Sequence, residues 1–227
     1  MPGAQSPFQR LPPLAVGLAS LILAIEAVFQ LGVRGMLGGP GAVGWRIEAM
    51  TSFGLSSPLL RRMASVGGLD MDALLRLWTY PFIHLGATHA VFGAVLTLGL
   101  GKAVSERFSA WAMAGILVAG ALGGAASYVL FFDERTLLVG IYPAVYGMIG
   151  AYTWALWMER EGRGRIMAFR LIGVLLALQL ALRLTIGGGP EWIADLGGFA
   201  AGFAASFALA PDGGVRLRRL RDRARGR

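Results

Sequence analysis

Two histidines, a tyrosine and an aspartate are the side chains whose types could support proton transfer or nucleophilic chemistry. His84 and His89 lie five residues apart in WTYPFIHLGATHAVFG, and Tyr142 and Asp195 each lie near the start of a later apolar run. Imidazole, phenol and carboxylate groups can donate, accept or transfer protons. No third nitrogen or sulfur ligand accompanies the histidines, so the sequence predicts no metal site, and it predicts no cofactor.

The segments that must position these residues are apolar. The chain has 227 residues, of which 56% are hydrophobic and 15% charged, and its mean hydropathy is +0.61. A membrane-spanning helix needs about 20 predominantly apolar residues. The sequence therefore predicts an all-α, polytopic membrane protein with six transmembrane helices. The six stretches are residues 11–37, 81–100, 110–132, 137–158, 166–186 and 192–210.

The chain is expected to form one membrane domain over residues 1–227, with a core at 38–210 and a basic tail at 211–227. The first apolar stretch is longer than the apolar region of a secretory signal, so we interpret it as an uncleaved span. Cysteine is absent, which excludes disulfides and thiolate metal sites.

Lysine and arginine residues indicate the orientation of the helices. Most of them fall at the N-terminus, in the second and fourth loops and in the tail, which predicts that both termini are cytoplasmic. The tail has seven arginines against two aspartates. Because it directly follows an apolar helix, we expect it to bind anionic lipid headgroups. No aromatic residues interleave with the arginines, so nucleic acid is not an expected partner.

Residues 140–152, GIYPAVYGMIGAY, resemble the active-site helix of rhomboid intramembrane serine proteases, whose signature is Gly-x-Ser-Gly-Ala-x-x-Gly. Gly140, Ala144 and Gly147 match this signature, whereas Tyr142 stands at the serine position and Pro143 at the following glycine. The resemblance implies a rhomboid scaffold without its nucleophile.

The second apolar helix carries a further part of the resemblance. Rhomboids show Phe-x-His, then a second histidine, and an asparagine four residues after it. Phe82, His84 and His89 match, and the asparagine position is Gly93. In the family the second histidine and the asparagine stabilise the oxyanion, so the resemblance implies that half of this pair remains.

The last apolar helix contains IADLGGFAAGF, which resembles the family pattern Ala-His-x-x-Gly-x-x-x-Gly. Ala194, Gly198 and Gly202 match, and Asp195 replaces the general-base histidine. Small residues four apart allow helix backbones to approach closely. The fourth helix has a comparable surface at Gly147 and Gly150, so we expect the fourth and sixth helices to pack tightly.

The altered residues predict a hydrogen-bonded cluster in place of a catalytic dyad. A buried acid needs a partner, and the resemblance brings the starts of the fourth and sixth helices together. We therefore expect the Tyr142 hydroxyl to donate to Asp195, with His89 close enough to join. His84 and Tyr146 are expected to line the same pocket. The alternative is a polar plug that closes an inactive site.

Two features lie outside the motifs. In the long first outer loop, Ser57 and Pro58 can open one short helix and Asp70 can cap another, which is typical of the membrane interface.

Within the first helix, Glu26 and Gln30 share one face. Glu26 has no charged partner nearby in the sequence, so hydrogen bonding to a neighbouring helix is favoured over proton coupling in a transporter.

These observations favour a rhomboid-like protein that binds transmembrane segments of other proteins as a pseudoprotease. The alternative is an active rhomboid intramembrane serine endopeptidase. A small transporter is a third hypothesis, which lacks repeated halves to support it. High arginine usage with a single lysine, Lys102, suggests a bacterial inner membrane.

Overall fold

The computed structural model describes residues 11–68, 70–132, 136–186, 189 and 191–211. The arginine-rich tail and Arg10 lie outside this range, so the orientation of the termini and the lipid contact of the tail stay predictions. The long helices of the described part are α1 (Pro13–Val33), α5 (Ala87–Ser105), α6 (Ala110–Phe131), α7 (Tyr142–Glu159), α9 (Arg170–Ile186) and α10 (Glu191–Leu209). These correspond in order to the six predicted stretches.

Four of these helices, α1, α5, α6 and α10, are long and apolar enough to cross a membrane. Helix α7 has 18 residues and α9 has 17. An all-α polytopic membrane bundle is therefore confirmed, and crossing by α7 and α9 stays a prediction.

Two helices begin later than the hydropathy of the sequence suggests. Pro81 lies in a 3-10 turn, Tyr80–Phe82, and α5 starts only after Gly86, which has an extended backbone. The stretch before α7 forms a short strand, β2 (Leu137–Leu138), followed by Gly140 at φ +106°. Hydropathy reports which residues avoid water, and it does not distinguish a helix from the buried loop that leads into it.

Helix α7 lies in the centre of the bundle. Almost all of its residues from Pro143 to Ala155 are buried, and it packs against α5, α6 and α10. A helix enclosed on most of its circumference has no polar face, which explains why apolar residues surround its axis.

Glycines set the distance between α7 and its two main neighbours. A Cβ atom on Gly202 of α10 would collide with the carbonyl oxygen of Gly147, and one on Gly198 would collide with that of Pro143. On the other side, a Cβ on Gly120 of α6 would lie 2.9 Å from the Cα of Gly147. The predicted tight packing of the fourth and sixth long helices is confirmed, because backbone meets backbone.

The first outer loop forms a layer of short helices, called the outer layer below. The helices predicted at Ser57 and after Asp70 are confirmed, whereas the helix that precedes them was not predicted. It contains α2 (Trp45–Phe53), β1 (Leu55–Ser56), α3 (Ser57–Val66) and α4 (Met71–Thr79), after a 3-10 turn at Pro40–Gly44. Strand β1 pairs antiparallel with β2, with Leu55 opposite Leu138. The Asp70 carboxylate accepts from the backbone N–H groups of Asp72 and Ala73 at 3.0 and 3.3 Å, so the predicted helix cap is confirmed.

Arg61 joins this layer to the end of α6. Its guanidinium donates to the carbonyl oxygens of Val129, Leu130 and Phe132 at 2.8, 3.1 and 3.2 Å. The last carbonyls of a helix have no partner within the helix, so a cation at this end satisfies them. The end of α6 and Phe132, the residue that follows it, are thereby held beside α3.

The remaining short helix, α8 (Arg163–Met167), connects α7 to α9 at the opposite end of the bundle. Beside it, the Arg107 guanidinium donates to a Glu159 carboxylate oxygen at 2.9 Å, which joins the α5–α6 connection to the end of α7. The carboxylate of Glu159 raises the pKa of Arg107, so this cation stays charged.

Changing Gly202 to alanine should lower the free energy of unfolding in detergent by about 1–3 kcal/mol, because the new methyl group collides with backbone that cannot rotate away. The matched control is Gly99→Ala on α5, where an added Cβ meets nothing within 4 Å. That change should leave stability equal or raise it by about 0.5–1 kcal/mol. Equal stability of the two variants would contradict the packing described here.

Candidate functional site

The N-terminal ends of α5, α7 and α10, called their outer ends after the predicted orientation, enclose a cavity of about 380 Å³. It contains three of the side chains that the sequence singled out, namely His89, Tyr142 and Asp195. The full lining is Leu85, His89, Leu137, Leu138, Val139, Tyr142, Pro143, Gly189, Glu191 and Asp195. His89 and Asp195 are 106 positions apart in the sequence, and they share one pocket because α5 and α10 both pack against α7.

Tyr142 is the first residue of α7, and its ring lies flat on the ring of His89. The ring centroids are 4.5 Å apart and the planes differ by 7°. The Tyr142 hydroxyl donates a hydrogen bond to the carbonyl oxygen of His89 at 3.1 Å. A phenol has one proton to donate, so the predicted donation to Asp195 was wrong, whereas the predicted proximity of His89 is confirmed.

The ring of His89 is held by a backbone hydrogen bond to one of its nitrogens. The backbone N–H of Leu85 donates to His89 Nδ1 at 3.3 Å, which places the proton of the neutral ring on Nε2. Gly140 provides the space for this ring: a Cβ there would lie 2.8 Å from His89 Cε1, and φ of +106° disfavours any other residue.

His84 is not part of the cavity lining but lies directly behind it. Its ring is buried, with Nδ1 3.3 Å from the carbonyl oxygen of Phe82 and Nε2 accepting from the N–H of Ile141 at 3.4 Å. These contacts fix a tautomer with the proton on Nδ1. Burial lowers the pKa of His84 to about 4, so the ring is neutral near pH 7.

The position of the family's asparagine is occupied by other groups. A Cβ on Gly93 would lie 3.0 Å from Ile141 Cγ2 and 3.1 Å from His84 Nε2. The glycine therefore makes room for the isoleucine and the histidine, and an amide side chain has no free volume here. Ile141 was missed by the sequence analysis, because an apolar residue beside a motif carries no chemical signal.

Asp195 and Tyr146 complete the predicted set. Asp195 is buried in the first turns of α10 and contributes to the cavity wall. Tyr146 lies one turn after Tyr142, outside the lining, and packs with Ile149 and Ile172 of α9. The cavity is thus lined by His89, Tyr142 and Asp195, whereas His84 and Tyr146, which were predicted to line it, lie outside its lining.

Glu191 is a cavity residue that the sequence analysis did not select. It lies in the first turn of α10, four residues before Asp195, so both carboxylates fall on one face of the helix. The i to i+4 spacing was the signal that could have identified it. Among the described residues, no group of three or more histidine, aspartate or glutamate side chains could hold a metal ion.

The groups of the cavity can form hydrogen bonds, and two of them bear on whether it could support acyl transfer. A nucleophile needs a hydroxyl or thiol beside a base, and an oxyanion needs N–H donors aimed at it. Here the hydroxyl is that of Tyr142, whose proton is donated to the carbonyl oxygen of His89. Pro143 has no backbone N–H that could donate to an oxyanion.

Replacement of Tyr142 by phenylalanine should lower the free energy of unfolding by about 1 kcal/mol, since one neutral hydrogen bond to the His89 carbonyl is lost while the ring stack remains. Thermal unfolding in detergent measures this. Tyr146→Phe is the control, because the described residues provide no hydrogen bond to that hydroxyl. An equal loss in both variants would argue against the bond.

The pKa of His84 predicts a pH dependence of stability. Unfolding returns its pKa from about 4 to near 6.5, so the unfolded chain binds the proton more tightly. Stability from this group is fully present above pH 6.5 and is lost as the pH falls toward 4. The slope of unfolding free energy against pH should be shallower in His84→Gln; an unchanged slope would show that other groups cause it.

Sequence comparisons identify the family of the chain. The Rhomboid domain matches residues 72–212, which is more than half of the chain. RHOMBOID-like protein 4 of Arabidopsis thaliana is 23% identical over 167 residues, covering 68% of this chain and 40% of that protein. Rhomboid-like protease 1 of Toxoplasma gondii is 27% identical over 132 residues, covering 57% of this chain and 45% of that protein.

The chain therefore spans less than half the length of these curated relatives. The matched region runs from position 72, within α4, to position 212. It contains every residue that lines the cavity. This protein belongs to the rhomboid family of membrane proteins.

Proposed function

We propose that this rhomboid family member binds transmembrane segments of other membrane proteins without cleaving them. The observation that carries the proposal is the state of the nucleophile position. Tyr142 stands where the family has serine, its hydroxyl donates to the His89 carbonyl, and its ring is stacked on the His89 ring. The phenol thereby serves as a structural group.

The chemistry of acylation makes a tyrosine a poor substitute. A phenol with an ordinary pKa near 10 is a weak nucleophile toward an amide at neutral pH. Its ring also fills the space beside His89 that a substrate carbonyl would occupy. Pro143 removes the N–H that follows the nucleophile, so one oxyanion donor is absent from the chain itself.

The general base is altered as well. Asp195 stands at the position of the family's histidine, and a carboxylate is a poor proton shuttle near neutral pH. At the asparagine position, Gly93 leaves its space to Ile141 and the ring of His84. The four positions that the family uses for nucleophile, base and oxyanion donors thus carry groups with packing or hydrogen-bonding roles.

Binding requires an apolar surface open to the bilayer, and α5 and α9 provide one. These helices pack little against each other. Exposed apolar side chains on α5 are Val91, Phe92 and Val95, and on α9 they include Val174 and Leu178. A transmembrane segment of a partner would contact both faces and present its outer end to the cavity. The bilayer itself is the medium of this contact.

Active proteolysis is the second candidate, because one relative is called Rhomboid-like protease 1. Cleavage of a fluorogenic transmembrane peptide in liposomes distinguishes the two. The native chain should be inactive, whereas a revertant with Tyr142→Ser, Pro143→Gly and Asp195→His should cleave. A second revertant adds Gly93→Asn together with Ile141→Ala, because the asparagine collides with the isoleucine otherwise. Cleavage by the native chain would overturn the proposal.

Binding without cleavage needs its own measurement. The chain has no cysteine, so Leu85→Cys in the cavity lining can be crosslinked to a cysteine near the outer end of a transmembrane peptide. Leu130→Cys, at the exposed outer end of α6, is the matched control. Crosslinking is expected at position 85 well above that at position 130. Equal yields would show that the peptide does not dock at the cavity.

A further inference from the structure

The carboxylate of Glu26 in α1 is buried in an ion pair. Its oxygens accept from Arg46 Nη2 at 2.6 Å and Arg46 Nη1 at 2.8 Å, and from Gln30 Nε2 at 2.8 Å. The side chains of Arg46 and Glu26 are 14% and 7% exposed. The sequence analysis gave Glu26 no charged partner because Arg46 is 20 residues away, in the outer layer; the expected hydrogen-bonding role is confirmed.

Arg46 also connects to the segment that leads into α5. Its Nη1 donates to the carbonyl oxygen of His84 at 2.9 Å, and its guanidinium carbon lies 5.1 Å from the ring centroid of Phe29. One side chain of α2 therefore joins α1 to the loop that carries His84. The planar fork of arginine allows these bonds at once, which a single ammonium group could not reproduce.

The same connection continues to the cavity wall. The ring of His84 accepts from the N–H of Ile141, the residue before Tyr142. Val139, which lines the cavity, packs in one cluster with Phe29 and Ile83. The wall formed by residues 137–141 thus rests on the elements that Arg46 joins.

Helix α2 is held by partial apolar packing and by polar contacts. None of its residues is fully buried, and Trp45, Ala49 and Met50 pack partly exposed against the cluster of Phe29, Ile83 and Val139. Beside the ion pair, Arg76 Nη1 donates to the carbonyl oxygens of Thr51 and Gly54 at 2.6 and 3.0 Å. Thr79 Oγ1 donates to that of Phe53 at 3.0 Å. Of these polar contacts, only the pair with Glu26 links α2 to a long helix.

We propose that Glu26 and Arg46 are a positioning pair that holds α2 and the wall at residues 137–141 against the outer end of α7, and so control access to the cavity. Breaking a buried pair by removing one charge leaves the other uncompensated in a poorly solvated place. Loss of the pair therefore frees α2 and the wall while α6, α7 and α10 stay packed through their glycines. The idea that a transmembrane segment enters the cavity rests on the proposed function, whereas the positioning role of Glu26 and Arg46 does not.

The experiment uses the cysteine-free chain in detergent with Val139→Cys as a reporter of the wall. Val139 is 5% exposed at the cavity, so a water-soluble maleimide reacts slowly there and faster when the wall moves. Glu26→Gln removes the charge, and Arg46→Lys keeps the charge but loses the fork. Both should raise the labelling rate at position 139 by at least about tenfold.

Two controls separate this role from general stability. Glu159→Gln breaks the ion pair with Arg107 at the other end of α7 and should leave labelling at position 139 unchanged. Ala151→Cys, buried in the middle of α7, reports unfolding of the bundle and should stay unreactive in Glu26→Gln.

An unchanged rate at position 139 in Glu26→Gln would overturn the proposal. An equal rise at positions 139 and 151 would also overturn it, because the pair would then stabilise the whole fold and not the wall. No partner or substrate is present in the labelling reaction, so its result is independent of whether the protein binds or cleaves transmembrane segments.

Discussion

The contact of glycine backbones between α7 and its neighbours α6 and α10 determines much of the rest of the structure. At Gly120, Gly147 and Gly202 the helices approach so closely that an added methyl group would overlap main-chain atoms. Inside a bilayer, apolar side chains gain little by leaving lipid for protein, so close packing of small residues supplies much of the attraction between helices. This contact fixes where the outer ends of α7 and α10 lie, and with them Tyr142 and Asp195.

The scaffold and the chemistry of the site are therefore separable. The glycine contacts lie along the helices, while the cavity lies at their outer ends. Tyr142 does not disturb the helix contacts, because its ring lies on the ring of His89 of α5. Pro143 fits at the start of α7, where its missing N–H would have no partner within the helix. The side chains at the family's motif positions are thus accommodated without a change in the helix contacts.

The outer layer is attached by a different kind of interaction. Its short helices bury few side chains, such as Leu60 and Ala73 against α6, and arginines add directional connections. Arg61 satisfies the last carbonyls of α6, and Arg46 pairs with Glu26 inside α1. Arg46 contacts two separate segments of the chain, through the carboxylate of Glu26 and the carbonyl oxygen of His84. The layer and the bundle are consequently linked by a few directional contacts that ion pairing and hydrogen bonding make specific.

The sequence by itself determined the class of protein, the order of the long helices, the cap at Asp70 and the tight packing at Gly198 and Gly202, because hydropathy, capping and small-residue spacing are local patterns. It also placed His89 and Tyr142 near each other through the family motifs. Only the tertiary structure decided that the Tyr142 hydroxyl bonds to the His89 carbonyl, and that Glu26 pairs with Arg46. Those partners depend on distances between segments remote in the chain, and a polar side chain carries no mark in the sequence of which neighbour it will meet.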